Sequence, residues 1–198
     1  MKKLLFTTLV LLAASTAAAQ EWKDALKKAV TSVVDEATDG MLTEVALAGT
    51  WNYTGPGVKF EGEDLASEVG GAALETAVVQ QLEKAYALAG IEPGAGRFTF
   101  EQTENRFSAL LGSHELSGTY AFDPSNHVVT LHFAKGQFDL GSVEGHAYIS
   151  GSELLLVFPV SKLVDLVTEL GSKISSLATV TALLKKYENV YLGFAFSK

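Results

Sequence analysis

Apolar and polar residues alternate along most of the chain between residues 97 and 158. A period of two is the pattern of β-strands that bury one face. Turn-forming residues interrupt the alternation about every 8–14 residues, which is the rhythm of an all-β sandwich or barrel. These predicted turns fall at Glu104-Asn105, Asp123-Pro124-Ser125-Asn126, Lys135-Gly136 and Ser150-Gly151-Ser152. The pattern therefore predicts an antiparallel meander.

A strand pattern also begins at Gly49-Thr50-Trp51 and is interrupted at Gly55-Pro56-Gly57, whose residue types are typical of turns. We therefore predict two short strands, 48–54 and 58–62, joined by a tight turn. The apolar stretch 190–196 predicts a last strand. Because so apolar a strand is not left as a free edge, we expect it to pair with the first strand and close a barrel.

Helical spacing of apolar residues predicts an N-terminal helix within residues 20–40 and a long helix over 64–89, after the second strand. It also predicts two helices, 159–171 and 176–188, before the last strand. The N-terminal helix carries lysines on the side opposite its apolar residues. We expect it to lie over one mouth of the barrel, with partner binding as the alternative.

The first 19 residues have the pattern of a secretory signal peptide. A basic start, Met1-Lys2-Lys3, precedes an apolar run that ends at the small residues Ala17-Ala18-Ala19. The run is too short for a membrane-spanning helix, which needs about 20 apolar residues. Since no cysteine follows it, lipid attachment through an N-terminal cysteine is excluded. We expect export to the periplasm or beyond, and a single mature domain over residues 20–198 with no transmembrane segment.

Composition narrows the function classes further. The formal net charge is −8, which makes nucleic acid and anionic lipid surfaces poor partners. The chain contains no cysteine, so disulfides, thiol catalysis and cysteine–metal sites are excluded. The predicted fold is mainly β with helices (α+β), an antiparallel up-and-down barrel of about eight strands.

Several motifs together resemble an exported, lipocalin-like family of bacterial proteins of unknown function. They are Gly49-Thr50-Trp51 with the residues that follow it, the alanine-rich helix, Ser117-Gly118-Thr119-Tyr120, the two late helices and Tyr191-Leu192-Gly193-Phe194. The resemblance covers most of the mature chain and implies a lipocalin-like barrel and an exported protein. It implies no catalytic residues, because the family has no assigned activity.

The residues themselves display no catalytic or metal site. No Gly-x-Ser-x-Gly motif is present, so the nucleophile of a serine hydrolase is missing. The four histidines, His114, His127, His132 and His146, lack the spacing of a three-ligand zinc site. Hairpin register places no two of them opposite each other, and we expect His132 and His146 on outward or half-exposed faces. We therefore predict a protein that is not an enzyme and uses no metal or cofactor.

Aromatic residues on the predicted strands are the remaining candidates. On the apolar phase of a barrel they either fill the core or line a cavity for a small ligand. One hypothesis is a protein that binds a small apolar molecule; the other is a structural or protein-interaction module of the cell envelope with a filled barrel. The candidate ligand-binding residues are Trp51, Tyr53, Phe98, Phe100, Phe107, Tyr120, Phe133 and Phe194.

Overall fold

The computed structural model describes residues 45–61, 71–134, 140–171, 174–187 and 189–198, without the side chains of 71–72 and 174–176. The predicted signal peptide (1–19), the predicted N-terminal helix (20–40) and the predicted turn at Lys135-Gly136 lie outside these residues.

Eight antiparallel strands form a closed barrel in which each strand pairs with its neighbours in the chain and β1 pairs with β8. The strands are β1 (Gly49–Phe60), β2 (Arg97–Glu101), β3 (Arg106–Leu111), β4 (His114–Asp123), β5 (Val128–Phe133), β6 (Ser142–Ser150), β7 (Glu153–Pro159) and β8 (Val190–Ser197). The helices are α1 (Gly71–Leu88), α2 (Val160–Glu169) and α3 (Ile174–Leu184), with short helical turns at 45–47 and Gln102–Glu104. The predicted up-and-down barrel, its closure by the last strand and the two helices before that strand are confirmed.

The predicted turn at Gly55-Pro56-Gly57 is wrong, because one continuous strand runs through it. A register irregularity between Tyr53 and Gly55 absorbs the break in alternation. The pairing of β1 with β2 covers only residues 49 to 52 of β1, whereas its pairing with β8 continues to Phe60. Pro56 therefore lies where β1 has a partner strand on one side only. A proline is tolerated there, since its missing N–H leaves no ladder bond unmade.

Because the first two predicted strands are one, α1 follows the first strand of the barrel and not the second. Val78, Leu82 and Tyr86 on one side of α1 are completely buried, whereas Leu88 at its end is 60% exposed. The chain after α1 then continues the pairing of β1. Gly94 N–H donates to the carbonyl oxygen of Tyr53, whose own N–H donates to Gly96 O.

The core lies on one face of every strand, the inner face of the barrel. Buried residues alternate with exposed ones along β2, β3 and most of β4, as the sequence pattern predicts. The rule is broken at Val157 in β7 and at Gly193 in β8, which are buried although they lie on the outer phase. A side chain at Gly193 would collide with the Leu156 carbonyl oxygen and come within 2.8 Å of Val157 Cα. Glycine allows β7 and β8 to approach this closely.

Candidate functional site

The eight aromatic residues predicted to bind a ligand all lie on the inner phase of their strands. Seven of them are at most 7% exposed. Phe133, at the end of β5, is only partly buried against the same core. The sequence pattern thus placed the whole set on one surface.

These rings contact one another across neighbouring strands on one side of the barrel. Phe98 stacks on Phe107 with ring centroids 5.3 Å apart, and Phe98 lies 4.7 Å from Phe100. Phe100 meets the Tyr120 ring edge to face at 5.0 Å. Phe107 makes the same kind of contact with Phe133 at 5.3 Å. Such offset and edge contacts are the favourable arrangements of aromatic pairs.

A second group of rings continues the contacts toward α1. Tyr53 lies 6.0 Å from Phe194 and 5.9 Å from Phe196, both edge on. Phe196 in turn lies 6.1 Å from Phe98 and joins the two groups. Exposures of 3% or less for these side chains mean that they border almost no space that a water molecule could enter. The candidate residues are therefore brought together, and they fill the space between one another.

Tyr86 of α1 belongs to this interior and was not among the candidates. Its ring stacks on Phe194 at 5.0 Å, and its hydroxyl donates to the carbonyl oxygen of Gly193 at 2.8 Å. The signal available in the sequence was its position four residues after Leu82 in the apolar stripe of α1. A tyrosine at such a position is easily assigned to the surface, because its hydroxyl needs a partner that the sequence does not display.

One end of the barrel is closed by Trp51, by the turn that precedes β1 and by Lys198, which is distant from both in the chain. Trp51 is completely buried, and its indole N–H donates to the Leu47 carbonyl oxygen at 2.8 Å. The Lys198 ammonium lies 4.2 Å from the centre of the indole ring. It also donates to the carbonyl oxygens of Ala46 and Ala48, each at 2.8 Å. Trp51 thus plugs this end under a cover formed by residues 46–48 and Lys198.

A cluster of polar and aromatic residues lies on the outer face of the strands, opposite the core. We call it the outer-wall cluster. It consists of Lys59, Glu61, His127, His146, Tyr148 and Tyr191. The Tyr148 hydroxyl donates to Glu61 Oε1 at 2.6 Å, and the Lys59 ammonium lies 4.8 Å from the Tyr148 ring centre. His146 stacks on Tyr148 and contacts the edge of Tyr191.

The histidine predictions agree with this arrangement. His132 is exposed, His146 is half-buried, and no two of the four histidines are register partners in the strands. Two histidines are nevertheless close to the same side chain, which the sequence did not indicate: His127 and His146 both pack against Tyr148. Among the described residues, no group of three or more histidine, aspartate or glutamate side chains is placed to hold a metal ion.

Tyr53, Tyr86 and Tyr148 have raised pKa values, which favour the neutral hydroxyl. Burial, with a smaller effect of the neighbouring Tyr53, raises the pKa of Tyr86 well above its ordinary value. Burial and then the Glu83 carboxylate raise the pKa of Tyr53. Burial and the hydrogen bond to Glu61 raise the pKa of Tyr148. In this form the hydroxyls of Tyr86 and Tyr148 donate the hydrogen bonds described above.

The outside of α1 carries an open groove of about 550 Å³ lined by Glu75, Thr76, Val79, Gln80 and Glu83. It lies beside the buried side of the helix and outside the barrel interior. In the part of the chain that the structure describes, no helix is long and apolar enough to cross a membrane.

A closed eight-stranded barrel with an aromatic interior and a tryptophan at one end defines a lipocalin-like protein. The family described as "Lipocalin-like domain (DUF4923)" matches residues 22–198, so the chain belongs to this family of unknown function. Among solved structures, it is similar to a DUF4847 family protein from Bacteroides vulgatus. The two are 14% identical, with 79% of this chain and 96% of that chain covered at a TM-score of 0.39. No curated protein matches the sequence.

Proposed function

We propose that this protein is an exported, non-catalytic domain of the cell envelope whose filled barrel serves as a rigid support for binding another protein. The observation that carries the proposal is the state of the eight candidate residues. Seven are at most 7% exposed, and most of them contact a neighbouring aromatic ring.

The other hypothesis, a small apolar ligand inside the barrel, is compatible with the fold. Each ~100 Å² of apolar surface that a ligand buries contributes about 2.5 kcal/mol. However, a ligand among these rings must first displace side chains such as Phe100 and Phe107. Removing a buried phenylalanine from a core costs about 3–5 kcal/mol. Displacing two such rings therefore offsets the gain from the first ~240–400 Å² of apolar surface that a ligand buries.

Ligand content separates the two hypotheses. The protein is purified from its native envelope without detergent exchange, and native mass spectrometry is used to look for bound small molecules. It is also titrated with an apolar fluorescent probe. We expect an unliganded mass and no change in fluorescence. The Phe100→Ala variant is the positive control, because it opens a cavity of the size of a ring, and empty apolar cavities bind small apolar molecules. A ligand on the wild-type protein would refute the filled barrel.

Partner binding is tested in intact cells. A photo-crosslinking residue is placed at one exposed outer position at a time, for example Ser108, Thr119 or Glu144. We expect a discrete crosslinked complex from positions on one side of the barrel. Fractionation of the same cells tests export, with a variant lacking residues 2–19 as the control that stays in the cytoplasm. A protein that is monomeric and gives no complex from any position would contradict the proposal.

A further inference from the structure

The outer-wall cluster joins strands that are not neighbours in the barrel. Tyr148 lies on β6 and Glu61 directly after β1, so β7 and β8 run between them. The Tyr148 hydroxyl nevertheless donates to Glu61 Oε1. Val157 on β7, the register partner of His146, lies on the outer phase and is completely buried. The outer face is therefore covered at this point, and the contact of Tyr148 with Glu61 ties β6 to the end of β1.

Tyr148 is surrounded by three basic side chains. The rings of His127 and His146 lie 5.1 and 5.9 Å from the centre of its ring, and the Lys59 ammonium lies 4.8 Å from it. The Nδ1 atoms of both histidines are buried and have no hydrogen-bond partner among the described residues. In that part of the chain the one other buried side-chain atom in this condition is Thr168 Oγ1. Unpartnered buried nitrogens are thus concentrated around one tyrosine.

The protonation state of the two imidazoles decides whether they fit this place. A neutral imidazole carries a proton on one ring nitrogen only, so Nδ1 can remain without one. A protonated imidazole carries N–H groups on both nitrogens, and a buried N–H without an acceptor is destabilising, more so when it is charged. Histidine ordinarily takes up its proton near pH ~6.5. Mild acid therefore demands acceptors for two N–H groups at Tyr148.

The other titratable groups of the cluster do not supply these acceptors. On β1, the Lys59 ammonium adds a third positive charge beside the same ring, and the Glu61 carboxylate accepts the hydrogen bond from Tyr148. Burial, and then the carboxylates of Glu61 and Glu144, raise the pKa of Tyr191 on β8, so both carboxylates lie near that hydroxyl. They reduce the repulsion between the positive charges, but in the described structure neither is a hydrogen-bond partner of a histidine Nδ1.

We propose that the outer-wall cluster is a pH-sensitive switch. With both imidazoles neutral, the cluster holds β6 to the end of β1 through Tyr148 and Glu61. When mild acid protonates His127 and His146, the imidazoles turn away from the Tyr148 ring to reach water, and the Tyr148 hydroxyl releases Glu61. This inference is independent of the proposed function, because the switch lies on the outer wall and needs neither a ligand in the barrel nor a bound protein.

Nuclear Overhauser cross-peaks measure the release directly. They are recorded at pH 7.5 and pH 5.5 between the ring protons of Tyr148 and the side chain of Lys59. We expect these cross-peaks to lose most of their intensity at pH 5.5. Cross-peaks between the rings of Phe100 and Tyr120 in the core should persist, which separates a local release from unfolding.

Histidine variants identify the groups that respond to acid. The double variant His127→Phe with His146→Phe keeps a ring at each position but cannot take up a proton there. Its contact between Tyr148 and Lys59 should persist at pH 5.5. His132→Phe is the matched control, because His132 is exposed and lies outside the cluster, and this variant should respond to acid as the wild-type protein does.

Amide hydrogen exchange at Glu61 is a second measurement that does not depend on the double variant folding. The Glu61 N–H donates to the Asn189 carbonyl oxygen, so its exchange reports on the end of β1. After correction for the intrinsic effect of pH, we expect exchange at least fivefold faster at pH 5.5 than at pH 7.5. Tyr148→Phe should produce a similar increase already at pH 7.5.

Three results would each overturn the switch. The first is a wild-type protein whose cross-peaks and Glu61 exchange are the same at both pH values. The second is an equal response to acid in the double variant, which would assign the change to other groups. The third is a loss of the Phe100 and Tyr120 cross-peaks together with those of Tyr148, which would mean that acid unfolds the whole barrel.

Discussion

The ammonium group of Lys198 lies 4.2 Å from the centre of the Trp51 indole and donates hydrogen bonds to the carbonyl oxygens on both sides of Leu47. The indole N–H donates to Leu47 itself. One end of the chain thus holds the turn that precedes the first strand against the tryptophan that plugs the barrel. Burial lowers the pKa of Lys198, because removing the ammonium group from water disfavours its charged form. The contacts with the indole ring and the two carbonyl oxygens favour the charged form and offset part of this cost.

We predict that Lys198→Met lowers the free energy of unfolding by about 1–2 kcal/mol. The variant keeps the apolar stem of the side chain but loses the cation–π contact and the donors to Ala46 and Ala48. Lys59→Met is the matched control. The Lys59 ammonium also lies over an aromatic ring, that of Tyr148. Since this variant tests a cation–π contact without the two carbonyl contacts of Lys198, its loss of unfolding free energy should be about half as large or less. Urea unfolding followed by tryptophan fluorescence measures both, and equal losses would contradict the role given to the carbonyl contacts.

Two glycines of the β1–β8 pair should respond differently to alanine. At Gly193 the added carbon meets backbone atoms of β7 that cannot move aside, and at Gly55 no atom lies within 4 Å. We expect Gly193→Ala to cost roughly 2–4 kcal/mol, in the range of severe overpacking. Gly55→Ala should change stability by less than about 0.5 kcal/mol, as at an open surface position. Thermal and urea unfolding of the two variants would show whether the close approach exists.

The interior rings should contribute to the free energy of unfolding in proportion to their burial. Phe107→Ala is expected to cost about 3–5 kcal/mol, because a completely enclosed ring is lost from the core. Phe133→Ala, the partly buried partner of the same edge contact, should cost roughly half as much or less. The ratio of the two losses in urea is the measurement. Comparable losses would mean that the rings are not packed as described.

Stability should fall on the alkaline side because of the buried tyrosines. In the unfolded chain a tyrosine ionises near its ordinary pKa of about 10. The pKa values of Tyr53, Tyr86 and Tyr148 are raised in the folded protein, so folding keeps their protons when the unfolded chain has released them. The stabilisation is complete below pH ~10 and is lost as the pH rises above it.

Unfolding by urea between pH 8 and 11 measures this loss, with return to pH 8 as the control for reversibility. Tyr148→Phe and Tyr86→Phe should each make the fall in stability with pH shallower, because each removes one proton-releasing group from the unfolded state. An unchanged pH dependence in both variants would show that the two hydroxyls are not protected by the fold.

The parts of the fold that the sequence predicts are those set by local periodicity. Alternation along β2 to β4 follows the buried and exposed faces, and the pairing of the last strand with the first follows from its apolar character. The Gly55-Pro56-Gly57 stretch misled because turn propensity is a local property. Whether a proline can stay in a strand depends on the absence of a partner on one side, which is a property of the whole sheet.

The candidate site illustrates the same limit. Period-two spacing places Phe98, Phe100 and Tyr120 on one face, and it says nothing about the space between them. That space depends on how sharply the strands bend and on which helical residues enter the barrel, such as Tyr86. The outer-wall contact of Tyr148 with Glu61 joins residues 87 positions apart and likewise has no local signal.

The pairing of β1 with β8 also affects the order in which the strands of the barrel can pair. The first strand of the barrel cannot find its second neighbour until residues 190–197 are available, and Lys198 reaches a carbonyl 152 positions earlier in the chain. Contacts of such long range make closure the late and slow event of folding. A chain still being synthesised therefore lacks the second partner of β1 until residues 190–197 have been made.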